Sequence, residues 1–249
     1  MNDILFKLEN VRKSFSTLEG SFDVLKGVNL EVRKGEFLII FGPSGCGKST
    51  LLHIMLGIEK ETLGSIYFLG EDICQKTEDE KAEIRKRKIG MVYQQPTWVT
   101  SLSVLENVFF PLTLQGYLYK KASVLGLSAL AHVNMQDWKD HFPQELSAGQ
   151  QQKVGFARAI VSRPIVLIAD EPTGNLDIKS SDELMALFEK QNKEFQRTII
   201  MVTHNINHLN FADRVAQMVD GQIIAQYSSP EEKEQLFKNV LGGHKIPVV

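Results

Sequence analysis

Two cysteines in 249 residues, Cys46 and Cys74, exclude both a disulfide framework and a thiolate metal site. Lysine and arginine total 28 against 30 acidic residues, and the net charge of −2 gives no global attraction to nucleic acid or to an anionic membrane. No apolar run approaches the roughly 18 residues needed to cross a bilayer. The first residues, Met1-Asn2-Asp3-Ile4, lack the basic start and apolar stretch of a signal peptide, so the expected location is the cytoplasm. The composition that remains, 43% hydrophobic and 23% charged, is that of a globular chain long enough for one or two domains with a substantial core.

The stretch Gly42-Pro43-Ser44-Gly45-Cys46-Gly47-Lys48-Ser49-Thr50 matches the phosphate-binding pattern G-x-x-x-x-G-K-[ST]. Its flanks are the ones the chemistry needs. Phe37-Leu38-Ile39-Ile40-Phe41 before it has strand length, and Leu51 to Leu56 after it, closed by Gly57, reads as a helix with a glycine stop. Glycine lets backbone N–H groups come close to a phosphate, and the helix N-terminus adds partial positive charge. Lys48 is expected to reach the β- and γ-phosphates of a nucleotide and Ser49 to ligate Mg²⁺. Cys46 fills an unspecified position of the pattern, where a small residue fits.

Leu5 to Glu9 alternates and reads as a strand; a polar loop with Gly20 follows, and Val24 to Val32 alternates again. With Gly64 to Gly70, these pieces predict an antiparallel patch beside the nucleotide core. Phe15 is either a core aromatic or a stacking surface for adenine, and period alone favours the core. Glu78 to Arg87 reads as a charged helix, with Arg85-Lys86-Arg87-Lys88 as a solvated face between it and a strand. Ser147, followed three residues later by Gln150, is a capping box that opens a helix running to Val161. Ser180-Ser181-Asp182-Glu183 reads as the cap of a later helix carrying Leu184, Leu187, Phe188 and Phe195 on one face. Val215 to Ala225 reads as a closing hairpin around Asp220-Gly221, and the segment from Ser228 as a charged helical tail that loosens from Gly242.

The expected fold is α/β: a P-loop NTPase core with a mainly parallel sheet, an antiparallel β patch and a helical subdomain. Residues 1–96 and 147–227 form the nucleotide-binding core, 97–146 the helical subdomain and 228–249 the tail, all in one domain. Trp98 and Trp138, in the helical part, have packing as their default role.

Four apolar strands end in groups with phosphate or proton chemistry: the phosphate loop, Gln94, Asp170-Glu171 and His204. Open parallel sheets bind ligands outside the carboxyl ends of their strands, so these groups are expected to serve one site. Charge then assigns the roles. Asp170 holds Mg²⁺ together with Ser49, directly or through water, and Glu171 orients and deprotonates the attacking water. Gln94 contacts the metal or the water; His204 bonds the γ-phosphate or fixes the water. Lys48 and the backbone amides offset the developing negative charge, which is where most of the rate gain is expected.

Taken together these residues resemble the ABC-transporter ATPase family over essentially the whole chain. The discriminating element is Leu146-Ser147-Ala148-Gly149-Gln150, which is similar to the family signature Leu-Ser-Gly-Gly-Gln. The resemblance implies that Ser147, Gly149 and Gln150 of one subunit meet the γ-phosphate bound to the loop of another, clamping two ATPs in a head-to-tail homo- or heterodimer. Ala148 departs from the usual glycine, and its methyl is expected to weaken closure without abolishing it. By the same resemblance Gln94 is the Q-loop glutamine, Asp177 the D-loop aspartate, His204 the switch histidine and Phe15 an adenine-stacking aromatic. The retained Glu171 implies hydrolysis of ATP and not binding alone.

Ala169 to Asp177, and Ser103-Val104-Leu105-Glu106-Asn107-Val108, resemble the branch containing lipoprotein-release, macrolide-efflux and cell-division ATPases. Between Leu118 and Asp140 the chain departs from the usual pattern, so the resemblance implies no particular substrate. It does imply a membrane-spanning permease as partner on the cytoplasmic face of the cell membrane, driven through a groove near Gln94, with no nucleic acid. Three rivals share the motor: a regulatory ATPase controlling a cell-wall enzyme through a membrane partner, a DNA-repair or chromosome ATPase, and a translation-associated ATPase. The second usually carries a long coiled coil or strong basic surfaces, and the third usually has two ATPase units in one chain; neither feature is in the sequence.

Overall fold

The computed structural model describes residues 3–17 and 20–241. In chain order the elements are β1 (Ile4–Thr17), β2 (Gly20–Arg33), β3 (Phe37–Phe41), α1 (Lys48–Met55), β4 (Leu63–Phe68), β5 (Glu71–Asp72), α2 (Glu78–Lys88), β6 (Ile89–Val92), α3 (Val104–Leu114) and α4 (Tyr119–His132). There follow α5 (Ala148–Ile160), β7 (Val166–Asp170), α6 (Ile178–Lys193), β8 (Thr198–Thr203), β9 (Arg214–Val219), β10 (Gln222–Tyr227) and α7 (Pro230–Leu241). Contacts divide the chain into two compact units, residues 1–81 with 200–249 and residues 82–199, with the cuts inside α2 and β8.

In the first unit β2-β1-β4-β5 form an antiparallel sheet, the expected patch. Its first strand is longer than the sequence suggests: β1 runs through to Thr17 and β2 starts at Gly20, where a polar loop was expected. The reason is a bulge. Asn10 stands at φ +48°, its N–H bonded to Asn29 Oδ1, and the register shifts between Leu8 and Val11. An extra residue reverses which side chains face inward, and this breaks the alternation that marks a continuous strand. The second sheet of this unit takes β10-β9-β3-β8, with β3 and β9 parallel. Every residue of β3 is buried, as befits a strand covered on both faces. The closing hairpin has the two-residue turn Asp220-Gly221, at φ +45° and +77°, that its sequence demands. Its Gly221 accepts from Lys26 N, fastening the turn to β2.

In the second unit the sheet runs β8-β7-β6, with β6 and β7 parallel. Phe156 of α5 meets Phe188 of α6 edge to face at 4.8 Å in its core. The face of α6 differs from the expected one: Leu184, Met185 and Phe188 are buried, while Phe195 lies beyond the helix end and is exposed. The cap differs too. Asp177, not the Ser180 to Glu183 run, caps α6, because its carboxylate accepts from Ser180 N. The basic run Arg85 to Lys88 forms the last turn of α2, where the helix dipole favours cations, and Lys86 and Arg87 both pair with Glu83. The tail begins as the expected helix, α7; residues from Gly242 onward lie outside the described residues.

The segment Ser103 to Val108 has a structural explanation. Ser103 and Glu106 form a capping box at the start of α3. Asn107, 1% exposed, accepts from Val99 N and donates to the carbonyls of Val99, Leu102 and Ser103, all at 2.9 to 3.0 Å. One side-chain amide thus holds the whole entry to the helix. Asn107→Ala takes four hydrogen bonds from the entry to α3, among them the acceptor of the part-buried Val99 N–H, and is expected to cost about 2 kcal/mol. The readout is a lower urea midpoint at unchanged slope; an unchanged midpoint contradicts the assignment.

Candidate functional site

Within the first unit the phosphate loop is formed without help from side-chain caps. Gly47 stands at φ +103° as the cap of α1, a conformation costly for any residue with a Cβ, and that Cβ would also lie 2.9 Å from Val24 O. At Gly42 a Cβ would lie 2.1 Å from Met218 O. At these two glycines the loop is threaded between β2 and the end of β9 with room for backbone only. Lys48 is 4% exposed, and its Nζ donates to the carbonyls of Gly42 at 2.9 Å and Pro43 at 2.8 Å. The ammonium is thus held over the loop by the loop itself. Gly42 N also donates to Thr203 O, at 3.4 Å, so the loop starts beside the strand end that carries the exposed His204. Phe15 is half-buried, not core; it stacks on Phe22 at 5.8 Å between ring centres, with Lys13 Nζ 4.6 Å from its own.

Within the second unit β7 ends in Asp170, and Glu171 follows at φ +42°. A left-handed conformation on a non-glycine costs about 1–3 kcal/mol and persists only where the surroundings impose it. Here a turn closes on it, with Gly174 N donating to Glu171 O at 3.0 Å. The exposed Gln94 lies over that turn: a Cβ on Gly174 would stand 2.6 Å from its Nε2. The unit therefore brings Gln94 and the Asp170–Glu171 turn together.

The signature segment and Asp177 also meet in this unit. Ser147 caps α5 with the expected capping box, Ser147 N donating to Gln150 Oε1 at 2.9 Å. A Cβ on Gly149 would strike Ser180 Oγ at 2.7 Å, so the first turns of α5 and α6 abut, and Lys153 pairs with Glu183 further along. Asp177 accepts from the Ser180 N–H and hydroxyl, both at 2.9 Å, and these bonds hold its carboxyl below the usual range. Ser147 and Ala148 are exposed, so the added methyl of Ala148 points away from the packed side of α5.

The pattern of a family described as ABC transporter matches residues 25–174, more than half of the chain. The chain belongs to the ABC transporter family. It is an ATP-binding, ATP-hydrolysing cassette of that family. It is 39% identical to the lipoprotein-releasing system ATP-binding protein LolD 1 of Chlorobium chlorochromatii, over 90% of this chain and 92% of the relative. It is 38% identical to the macrolide export ATP-binding/permease protein MacB of Vibrio parahaemolyticus over 90% of this chain, which spans 34% of that protein. The solved cassette MJ0796, a dimer in a post-hydrolysis state with ADP and Pi, shares 36% identity and a TM-score of 0.84, covering 90% of this chain and 98% of its own.

Sequence reasoning missed the residues that fasten the segment around Gln94. Trp98 Nε1 donates to Gln151 Oε1 at 2.9 Å, Gln152 Nε2 donates to Tyr93 O at 2.7 Å, and Arg158 stacks over Trp98 while donating to Thr97 O at 2.6 Å. All three partners come from α5. Gln151 and Gln152 were legible only as part of a helix start, because nothing local says what a glutamine on the inner face will bond.

Lys48→Ala removes the charged donor at the loop, and nucleotide affinity is expected to fall more than about tenfold with the circular dichroism spectrum unchanged. A variant that binds ATP as the parent does contradicts the assignment of the loop.

Proposed function

We propose that this cassette closes with a second ATPase subunit around two ATPs and drives a separate membrane-spanning permease, exporting or extruding a lipoprotein, lipid or peptide. The observation that carries the reading is the start of α5: a capped helix N-terminus with Ser147 and Ala148 exposed, a phosphate-type donor site in addition to the loop before α1. A chain with two such termini is half of two sites, and a second subunit completes both.

In this proposal Gly42 to Thr50 bind the phosphates through backbone N–H groups, Lys48 neutralises the β- and γ-phosphates, and Phe15 stacks on the adenine. Ser49, Asp170 and Gln94 carry hard oxygen donors of the kind Mg²⁺ takes, and among the described residues no cluster of three or more His, Cys, Asp or Glu offers an all-protein cage. Bound with ATP, Mg²⁺ would neutralise phosphate charge. Glu171 takes the proton of the attacking water, His204 holds the γ-phosphate, and Asp177 works at the subunit contact beside Ser147, Gly149 and Gln150.

Residues 97–146 act as the helical subdomain that meets the permease. Exposed apolar side chains on α3 and α4, among them Phe110, Leu114, Tyr119 and Val124, suit that task. No described helix is long and apolar enough to cross a membrane. In this proposal the spanning helices belong to the partner, and the cassette works on the cytoplasmic face of the cell membrane. The names of the relatives, lipoprotein release and macrolide export, support a cargo moved outward.

Glu171→Gln is expected to retain ATP binding, to slow hydrolysis by about two to four orders of magnitude, and to elute as a dimer when ATP is present. Hydrolysis at the parent rate would remove Glu171 from its role, and a monomer in saturating ATP would sink the closure model. Affinity purification from native membranes tests the partner: a co-purifying permease is expected, and DNA-stimulated ATPase activity at physiological salt would favour the repair reading instead.

A further inference from the structure

The second unit holds a cavity of about 390 Å³ that none of the chemistry above uses. Its polar lining is Ser128, His132, Arg163, Gln191 and Arg197, with no carboxylate among the lining residues. Leu125 and Ala129 of α4, Ile160 of α5 and the exposed Phe195 give it an apolar side. The volume lies in the range of small-molecule sites.

The two arginines are not explained by the fold. Among the described residues neither forms an ion pair with a carboxylate. Arg197 donates to the neutral amide oxygen of the buried Gln191. Both arginines line the same cavity, and burial, and then the like charge of Arg163, press the Arg197 pKa downward. Arg163 follows α5 at φ +52°, with its N–H closing the helix end on Ile160 O at 2.9 Å. That position favours glycine or asparagine, and an arginine there carries a backbone cost. His132 is fixed as well: its Nδ1 lies 2.7 Å from Ser128 O, which can only accept, so Nδ1 donates there and Nε2 is the other ring nitrogen. Its ring lies 6.2 Å from that of Phe195.

We propose that this cavity is a binding site for a phosphate monoester or diester carrying an apolar or aromatic group, held by Arg163 and Arg197 and packed against Phe195. Guanidinium forks match phosphate oxygens two at a time, and an anion between them relieves their mutual repulsion. The apolar side takes the organic part, so inorganic phosphate alone is the weaker ligand. Such a phosphate reaches a membrane-coupled ATPase either free in solution or as a lipid headgroup, and the chemistry of the cavity is the same for both.

The test uses the full chain with saturating Mg-ADP, which keeps the phosphate loop occupied. Equilibrium dialysis against phenyl phosphate is expected to give saturable binding with a dissociation constant below about 1 mM. Arg163→Gln and Arg197→Gln should each weaken it about tenfold or more, with basal ATPase activity unchanged. Arg163 is exposed and its side chain packs in no core, so its variant folds even if the half-buried Arg197 variant does not. In the second arm, sedimentation with phosphatidylglycerol vesicles, set against phosphatidylcholine vesicles, reads the lipid source: binding that is lost in Arg163→Gln supports the site with a lipid-borne phosphate. Absence of saturable binding to both probes, or equal binding by parent and Arg163→Gln in both arms, overturns the proposal.

Discussion

An ammonium group cannot be buried without acceptors, and Lys48 is buried to 4% exposure. Everything about the phosphate loop follows from meeting that demand while keeping the charge usable. Two carbonyls of the loop, Gly42 and Pro43, accept from it. They can do so only because the chain turns back on itself at Gly47, at φ +103°, and because no Cβ stands at Gly42 between the loop and Met218 O. The strands around it then have to be rigid and dry, which is what the fully buried β3 supplies. A phosphate arriving at this loop meets a positive charge that is already oriented, so little reorganisation is left for the moment of reaction.

The same logic of helix ends recurs in the second unit with a different solution. Where α1 is capped by glycine, α5 and α6 are capped by Ser147 and Asp177, and their first turns abut at Gly149 and Ser180. One terminus is capped by a neutral hydroxyl, which leaves the positive end of its helix dipole uncompensated. The other is capped by a carboxylate, which offsets its own. Two helix starts in contact therefore differ in charge.

Elements whose cause is local were legible in the chain. The phosphate loop, the Ser147 capping box and the Asp220-Gly221 hairpin each depend on residues a few positions apart, and each was read correctly. The family and the α/β class followed from them. What escaped depends on partners distant in sequence or on backbone shape. The bulge at Asn10 hid the length of β1, and the true cap of α6 lay three residues before the expected one. The left-handed backbone of Glu171 could not be read from a side chain that does not favour it. Phe15 remained ambiguous between core and surface because alternation says which face a residue takes, not how well that face is covered; here it is half-buried on Phe22.

The bonds of Gln151, Gln152 and Arg158 with the segment from Tyr93 to Trp98 fix both the start and the last turn of α5 to one short loop. Three attachments are enough to remove every rotation of one body against another. Loop and helix therefore behave as a crank: Gln94 is at the pin, and the helix, about 20 Å long at 1.5 Å per residue, is the arm. Loop and helix are thereby geared to shift as one piece, and cutting any of the three bolts lets slack into the joint.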